Sequence, residues 1–144
     1  MLKAEIKPKE IRLGNLFYYR DSDSPLVAEV SEISYANVDI DILSELPEGL
    51  SQYQPQVAYC WLEPIPITDW PLNKLCFFPY DGVKNSYIDG LCRFVLTMEG
   101  RGIWSLHSYN VVDGEMQLIK DIKYLHELQN IIHSLTGEEL TINL

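Results

Sequence analysis

The strictest pattern in the sequence is found over residues 37–42. Polar and apolar residues alternate there without exception: Asn37, Val38, Asp39, Ile40, Asp41 and Ile42. Successive side chains of a β-strand point to opposite faces, so the pattern predicts a strand with one apolar and one acidic face. This strand is therefore expected to be half buried.

Two strands are predicted before this one. Gly14-Asn15 is expected to form a turn, because both residues tolerate positive φ, and the aromatic residues 17–19 that follow favour a pleated strand. Turn-forming residues at 21–25 separate it from residues 26–33, which have strand character and should pair with it as a hairpin. Together these strands predict a small N-terminal barrel of the SH3-like type.

Two helices are predicted further along the chain. The stronger pattern covers residues 122–135, with Asp121 as its N-cap and Gly137 as its C-cap. Its apolar residues recur at spacings of three and four: Leu125, Leu128, Ile132 and Leu135. A shorter helix is expected from Thr68, as N-cap, to about Leu75.

Between the helices the sequence predicts a β-meander. Its strands should cover residues 88–98, 103–109 and 115–119, since short glycine-containing turns favour antiparallel neighbours. The predicted fold class is α+β, with antiparallel strands forming an N-terminal SH3-like barrel and a C-terminal meander packed by one main helix. We expect one domain over 1–144, in which a loop over 44–56 separates possible lobes 1–46 and 56–144.

Charge and composition exclude several classes of function. The formal net charge is −10, and residues 25–79 carry one basic residue against eight acidic ones, a surface that phosphate backbones and anionic lipids would repel. We therefore expect no direct nucleic-acid binding. No apolar stretch is long enough to span a bilayer and the start lacks the apolar run of a signal peptide, so a cytoplasmic location without membrane contact is expected. The three cysteines have no close pair and predict free thiols.

The most tempting catalytic motif is His126-Glu127-Leu128-Gln129-Asn130. A zinc protease has His-Glu-x-x-His, but here the fifth position is Asn130, and His133 lies two helical turns from His126. We expect neither a metal nor another cofactor. His107 and Ser108 point to opposite faces of a strand, and Ser105 lies too far from His107 for a nucleophile to be activated.

Candidate binding residues come from two groups. The first is a set of aromatic residues that could line a groove for a peptide, with packing in the core as the alternative: Phe17, Tyr18, Tyr19, Tyr35, Tyr53, Tyr59 and Trp61. The second is a polar stripe on the main helix, which is expected to hydrogen-bond to the neighbouring meander or to a partner. From the two groups we select as binding residues Tyr18, Trp61, His126, Gln129, Asn130 and His133.

Three blocks of sequence stand out: Ile11-Arg12-Leu13-Gly14-Asn15-Leu16, then residues 62–68, and most specifically His126-Glu127-Leu128-Gln129-Asn130 with residues 135–140. Together they resemble a family of small uncharacterised proteins of Bacteroides-type bacteria and their phages or prophages. Relatives usually have Glu-Trp-Leu where this chain has Asp69-Trp70-Pro71. The family supplies no activity. The resemblance implies a cytoplasmic accessory protein, of bacterial or prophage origin, that acts by binding.

The leading functional prediction is a non-enzymatic protein that binds an unidentified protein partner. One alternative is a small metal-dependent or acid/base hydrolase that uses His107, His126 or His133. Another is an acidic inhibitor that imitates DNA and occupies a nucleic-acid-binding protein. The oligomeric state is left open by the sequence.

Overall fold

The computed structural model describes residues 6, 8–20 and 25–143. In this part of the chain, two five-stranded antiparallel sheets and one α-helix confirm the predicted α+β class. The chain divides into two compact units. The first unit consists of Met1–Ile65 and Leu125–Gly137, and the second of Pro66–Tyr124 and Glu138–Leu144.

The first unit contains strands β1 to β5. Their bounds are β1 Leu16–Tyr19, β2 Leu26–Ile33, β3 Asn37–Ile42, β4 Tyr53–Ala58 and β5 Leu62–Pro64. They are ordered β4-β3-β2-β1-β5, and no pairing between β4 and β5 closes the described sheet. The predicted SH3-like barrel is therefore not confirmed, whereas the antiparallel hairpin of β1 and β2 is. Residues 21–24 of the predicted turn lie outside the described part of the chain.

The alternation over residues 37–42 is confirmed in β3. Val38, Ile40 and Ile42 are buried in the core of the first unit, whereas Asn37, Asp39 and Asp41 lie on the half-exposed face. Because side chains directly opposite each other on paired strands share a face, Ile40 lies beside its partner Val30 of β2 in this core. The pattern seen in the sequence thus defines both the inner and the outer face of this sheet.

The α-helix α1, Leu125–Thr136, begins later than predicted. Residues up to Ile122 extend the preceding strand, and Asp121 accepts a hydrogen bond from Ser105 Oγ at 2.9 Å instead of capping the helix. Gly137 has φ 73° and donates its N–H to His133 O at 2.8 Å, as the predicted C-cap requires. The helix belongs to the first unit, where it packs on β1, and its predicted packing on the meander is not confirmed.

The second unit is a sequential meander, as predicted, but with more strands. These are β6 Phe77–Pro79, β7 Ser86–Asp89, β8 Phe94–Gly100, β9 Ile103–Tyr109 and β10 Met116–Ile122, in the order β10-β9-β8-β7-β6. The single strand predicted over 88–98 is wrong. Asp89 Oδ1 accepts hydrogen bonds from the backbone N–H groups of Arg93 and Phe94, and this turn separates β7 from β8.

The helix predicted over 68–75 is also wrong. Two short 3-10 helices, Ile67–Asp69 and Leu72–Leu75, replace it, and Thr68 does not act as a cap. Trp70 is extended between them, with φ −117° and ψ 131°. A residue that precedes proline is disfavoured in the α region, so Pro71 explains the interruption.

The loop predicted over 44–56 is shorter than expected, because β4 begins at Tyr53. It connects β3 to β4 and lies within the first unit. The single domain over 1–144 with a seam at this loop stays a prediction. No helix in the described part of the chain has the length and apolar content needed to cross a bilayer.

Candidate functional site

A groove of about 250 Å³ runs along β4 in the first unit. Five consecutive residues of β4, from Gln54 to Ala58, line it together with Tyr19 and Trp61. Alternate side chains of a strand point to opposite faces, so a groove lined by consecutive residues lies against the edge of the strand. β4 is the last strand on its side of the sheet, and its edge is therefore part of the groove.

The aromatic wall of the groove is held by the segment that follows β4. Tyr59–Trp61 forms a short 3-10 helix, in which the carbonyl of Trp61 accepts a hydrogen bond from Arg20 N at 3.1 Å. Tyr59 Oη donates to Ser34 O at 3.1 Å. Trp61 is nevertheless 53% exposed, whereas Tyr19 is buried. The backbone near Trp61 is thus anchored while its side chain remains accessible.

The middle of β4 is poor in backbone donors. Pro55 has no N–H, and the N–H of Gln56 donates to Asp39 Oδ1 at 2.9 Å. Gln56 has φ 54°, and the pairing of β3 with β4 shifts register between Val38 and Ile40. Two consecutive positions of this strand therefore have no N–H group available to a partner.

An acidic face lies next to the groove. Carboxylates of β2 and β3 share the outer face of the sheet: Glu29, Glu32, Asp39 and Asp41. Tyr53 of β4 pairs opposite Asp41 and donates its hydroxyl to Asp39 Oδ2. Asp39 also accepts from the N–H of Gln56, a residue of the groove, although Asp39 itself does not line the groove.

Hydrogen bonds set the protonation states of Asp39 and Tyr53. The Tyr53 hydroxyl, and then the Gln56 N–H, hold the pKa of Asp39 below its usual value. The hydrogen bond to Asp39, followed by desolvation and the negative charges of Asp39, Glu32 and Asp41, raises the pKa of Tyr53 to about 12. At neutral pH, Asp39 is therefore ionised and Tyr53 protonated.

The first unit carries most of the negative charge of the protein. It contains 12 acidic and 5 basic residues, out of 21 and 11 in the whole chain. Arg20, whose backbone N–H reaches Trp61, directs its guanidinium Nε to Glu63 Oε1 at 2.6 Å. The positive charge of this neighbour of the groove is thus paired with a carboxylate of β5.

The polar stripe of α1 forms hydrogen bonds within the protein, but with a different segment from the one predicted. The amide of buried Gln129 accepts from Leu16 N at 2.9 Å and donates to Gly14 O at 3.0 Å. Asn130 Oδ1 accepts from Asn15 Nδ2 at 2.8 Å, and Asn130 Nδ2 donates to Glu10 O at 2.7 Å. The stripe therefore bonds to residues 10–16 of its own unit, whereas we expected the meander or a partner.

The histidines lie in different settings. His126 is buried, with its ring centroid 5.0 Å from that of Phe17, and His133 is half-buried on the same helix. His107 is on β9 in the second unit, where Ser105 Oγ donates to Asp121. Among the described residues, no group of three or more His, Cys, Asp or Glu side chains could hold a metal ion. The hydrolase alternative stays a prediction.

Of the six predicted binding residues, Trp61 lines the groove and Tyr18 does not. Tyr18 is half-buried on the other face of β1, whereas its neighbour Tyr19 contributes to the groove. The two-residue period of a strand could have identified Tyr19, because it lies on the same face as buried Phe17. A binding role for His126, Gln129, Asn130 and His133 stays a prediction.

A second concave surface lies in the second unit. It encloses about 420 Å³ beside the β9–β10 hairpin, between Ser108–Val111 and the side chains of Glu115 and Gln117. The three cysteines are thiols, as predicted: Cys60 is exposed, and Cys76 and Cys92 are half-buried. Neither feature adds a reactive group to the groove along β4.

No family model, curated protein or solved structure matches this chain.

Proposed function

We propose that this chain is a non-enzymatic accessory protein of the cytoplasm, and that its first unit binds an extended segment of a partner protein. The observation that carries the proposal is the half-exposed Trp61 beside an edge strand whose backbone borders a groove. Aromatic residues of this kind are enriched at protein interfaces. The resemblance to the Bacteroides and phage family supports an accessory role.

The strand order of the first unit supports an open SH3-like barrel. β5 returns to pair with β1, and a single 3-10 helix connects it to β4. This return brings the two ends of the sheet towards each other, as a barrel requires, and leaves a gap beside β4. SH3 domains bind extended segments in aromatic-lined grooves, and the groove along β4 has the matching features.

The geometry favours a peptide segment over a compact small molecule. An edge strand can bind an extended chain through main-chain hydrogen bonds, and a neighbouring aromatic residue can contact one of its side chains. β4 covers six residues, enough to align with a short segment of a partner. The charge of the first unit, with 12 acidic against 5 basic residues, favours a partner without excess negative charge.

We expect replacement of Trp61 by alanine to weaken peptide binding about tenfold or more, because a central aromatic contact is lost. Random dodecapeptides displayed on phage would be selected against the full chain, and dissociation constants measured by fluorescence anisotropy. Tyr35→Ala is the matched control, since Tyr35 is fully exposed and does not line the groove. The proposal fails if no peptide is selected, or if the two variants bind equally well.

The acidic outer face favours the DNA-mimic alternative as a second candidate. Glu29, Glu32, Asp39 and Asp41 form a run of negative charge across two strands. A basic protein that recognised this face would lose affinity on Glu29→Gln and Asp41→Asn but not on Trp61→Ala. The same binding measurement, made with a nucleic-acid-binding protein captured in a salt-sensitive manner, separates the two functions.

A further inference from the structure

We infer that the protein forms a two-fold symmetric dimer, in which residues 116–118 at the open edge of β10 pair antiparallel with the same residues of a second copy. The inference concerns the second unit and goes beyond the proposed binding function of the first. Each copy contributes one five-stranded sheet, so the pairing joins the two sheets into one. Three features of β10 support it: its open edge, its side chains and the charges at its ends.

Four strands form the edges of the two described sheets, and β10 is the one among them without a proline. Pro55 interrupts β4, whereas β5 and β6 are short strands that end in Pro64 and Pro79. Proline lacks an N–H group and protects a sheet edge from continuous pairing with another chain. β10 lacks this protection, so it is the edge best suited to pair with another strand along its length.

The backbone groups that β10 offers to a partner belong to Met116 and Leu118. Asn110 N donates to Glu115 O at 2.9 Å in the hairpin of β9 and β10. Hydrogen-bonded and non-hydrogen-bonded pairs alternate along an antiparallel ladder, so Gln117 directs its N–H and carbonyl groups to its partner in β9. Met116 and Leu118 therefore direct theirs away from β9, towards the open edge.

The side chains of this segment are complementary to an antiparallel copy of the same segment. Met116 and Leu118 are 41% and 61% exposed and share one face of the sheet, with Gln117 on the other. A two-fold axis perpendicular to the sheet at Gln117 places Met116 of each copy opposite Leu118 of the other, and these two residues exchange N–H···O bonds in both directions. Four apolar side chains then pack together on one face.

The same register brings opposite charges together at each end of the segment. Lys120 shares a face with Gln117, because their partners in β9 are two residues apart. Glu115 lines the same concave surface as Gln117, and Asp121 is on the opposite face, where it accepts from Ser105 Oγ. Antiparallel pairing about Gln117 carries Lys120 of each copy towards Glu115 of the other, so charge complementarity favours a second copy.

The dimer is weak, because few residues of each copy take part and interfaces smaller than about 1,200 Å² belong to transient associations. We therefore expect the monomer to dominate at about 1 μM and the dimer at about 500 μM. Association stops at two copies, because β6, the other edge of the same sheet, ends in Pro79.

Sedimentation equilibrium of the full chain over this range, in about 0.15 M salt to screen the net charge of −10, measures the association. We expect the mean mass to rise from 16.6 kDa towards twice that value. Leu118→Lys places a charge at the open edge and should weaken association about tenfold or more. Leu91→Lys is the matched control, because Leu91 is 67% exposed in the turn between β7 and β8.

Two results of this measurement would overturn the inference. A constant mass of 16.6 kDa would exclude a second copy and leave the edge of β10 to a strand of another protein. Equal dimerisation of the Leu118→Lys and Leu91→Lys variants would place the interface between copies elsewhere. Circular dichroism confirms that each variant is folded.

A cysteine at the two-fold axis tests the register. Gln117→Cys places two thiols opposite each other in a non-hydrogen-bonded pair, whose Cα atoms lie about 4.5 Å apart, within the range of a disulfide. In a chain whose exposed Cys60 is replaced by serine, we expect this variant to cross-link to its copy on mild oxidation. Val112→Cys is the control, because Val112 is 95% exposed on the same hairpin but five positions from the axis. Equal or faster cross-linking of the Val112→Cys variant would overturn the pairing about Gln117.

Discussion

Replacement of Gln129 by alanine is expected to lower the free energy of unfolding by about 2–4 kcal/mol. The side chain is 3% exposed, and its amide bonds both Leu16 N and Gly14 O. Alanine would leave these two backbone groups without their partner and create a cavity beneath α1. Because a buried polar group without a partner is costly, this loss should exceed that of a single exposed hydrogen bond.

Urea unfolding followed by circular dichroism measures this effect. Ser134→Ala is the control, because Ser134 is an exposed residue of the same helix. The free energy of unfolding of the Ser134→Ala variant should stay within about 0.5 kcal/mol of the wild-type value. If Gln129→Ala were as mild as Ser134→Ala, the bonds between α1 and residues 14–16 would not stabilise the first unit.

Replacement of Phe17 by alanine is expected to have the larger effect, about 3–5 kcal/mol. Phe17 is fully buried in the core of the first unit, opposite Ala28 of β2, and its ring contacts that of His126. Removal of the ring leaves a cavity between the sheet and the helix. A loss of this size is a large fraction of the stability of a domain, so the variant should unfold at a clearly lower urea concentration than the wild type.

Phe78→Ala provides a chemically matched control for this substitution. Phe78 is 47% exposed on β6, so its removal should cost less than about 1 kcal/mol. The two variants would be compared by urea unfolding and by the near-ultraviolet circular dichroism of aromatic side chains. Similar losses in both variants would mean that Phe17 is not central to the core.

The sequence predicted those elements whose pattern is local. Strands β2, β3 and β9 match their predicted ranges, because alternation and β-branched residues act over a few neighbours. The prediction failed where one side chain redirected the backbone. Asp89 collects two N–H groups and turns the chain, and Pro71 interrupts a helix. Such effects depend on single contacts and leave little trace in periodicity.

The candidate groove could be predicted only in part. The enrichment of aromatic residues at interfaces predicts Trp61 as a binding residue, and the structure places it in the groove. The other wall comes from β4, whose Pro55 and Gln56 resemble loop residues in the sequence. Gln56 has positive φ, and its backbone N–H donates a hydrogen bond to the side chain of Asp39 on the neighbouring strand. Contacts of this kind depend on the fold as a whole.

Two of the sequence blocks quoted for the family resemblance are joined by hydrogen bonds in the structure. Block 11–16 supplies the turn that bonds α1, and the block His126–Asn130 supplies the amides on the other side of that contact. Residues 113 and more positions apart in the chain thus meet in one hydrogen-bonded junction. A structural role for these blocks accounts for their residue types without a ligand.

The division of the first unit into two stretches of sequence has a consequence for its synthesis. During translation, β1 to β5 leave the ribosome early. The hydrogen bonds of Gly14 and Leu16 with Gln129 can form only after all of Pro66–Tyr124 has been translated. Leu125 N, at the start of the helix, then donates to Ile65 O at 2.8 Å. This bond joins the helix to the last residue of the first stretch of the unit. A nascent chain halted before Leu125 therefore exposes the apolar surface of β1, and its maturation depends on the synthesis of Leu125–Gly137.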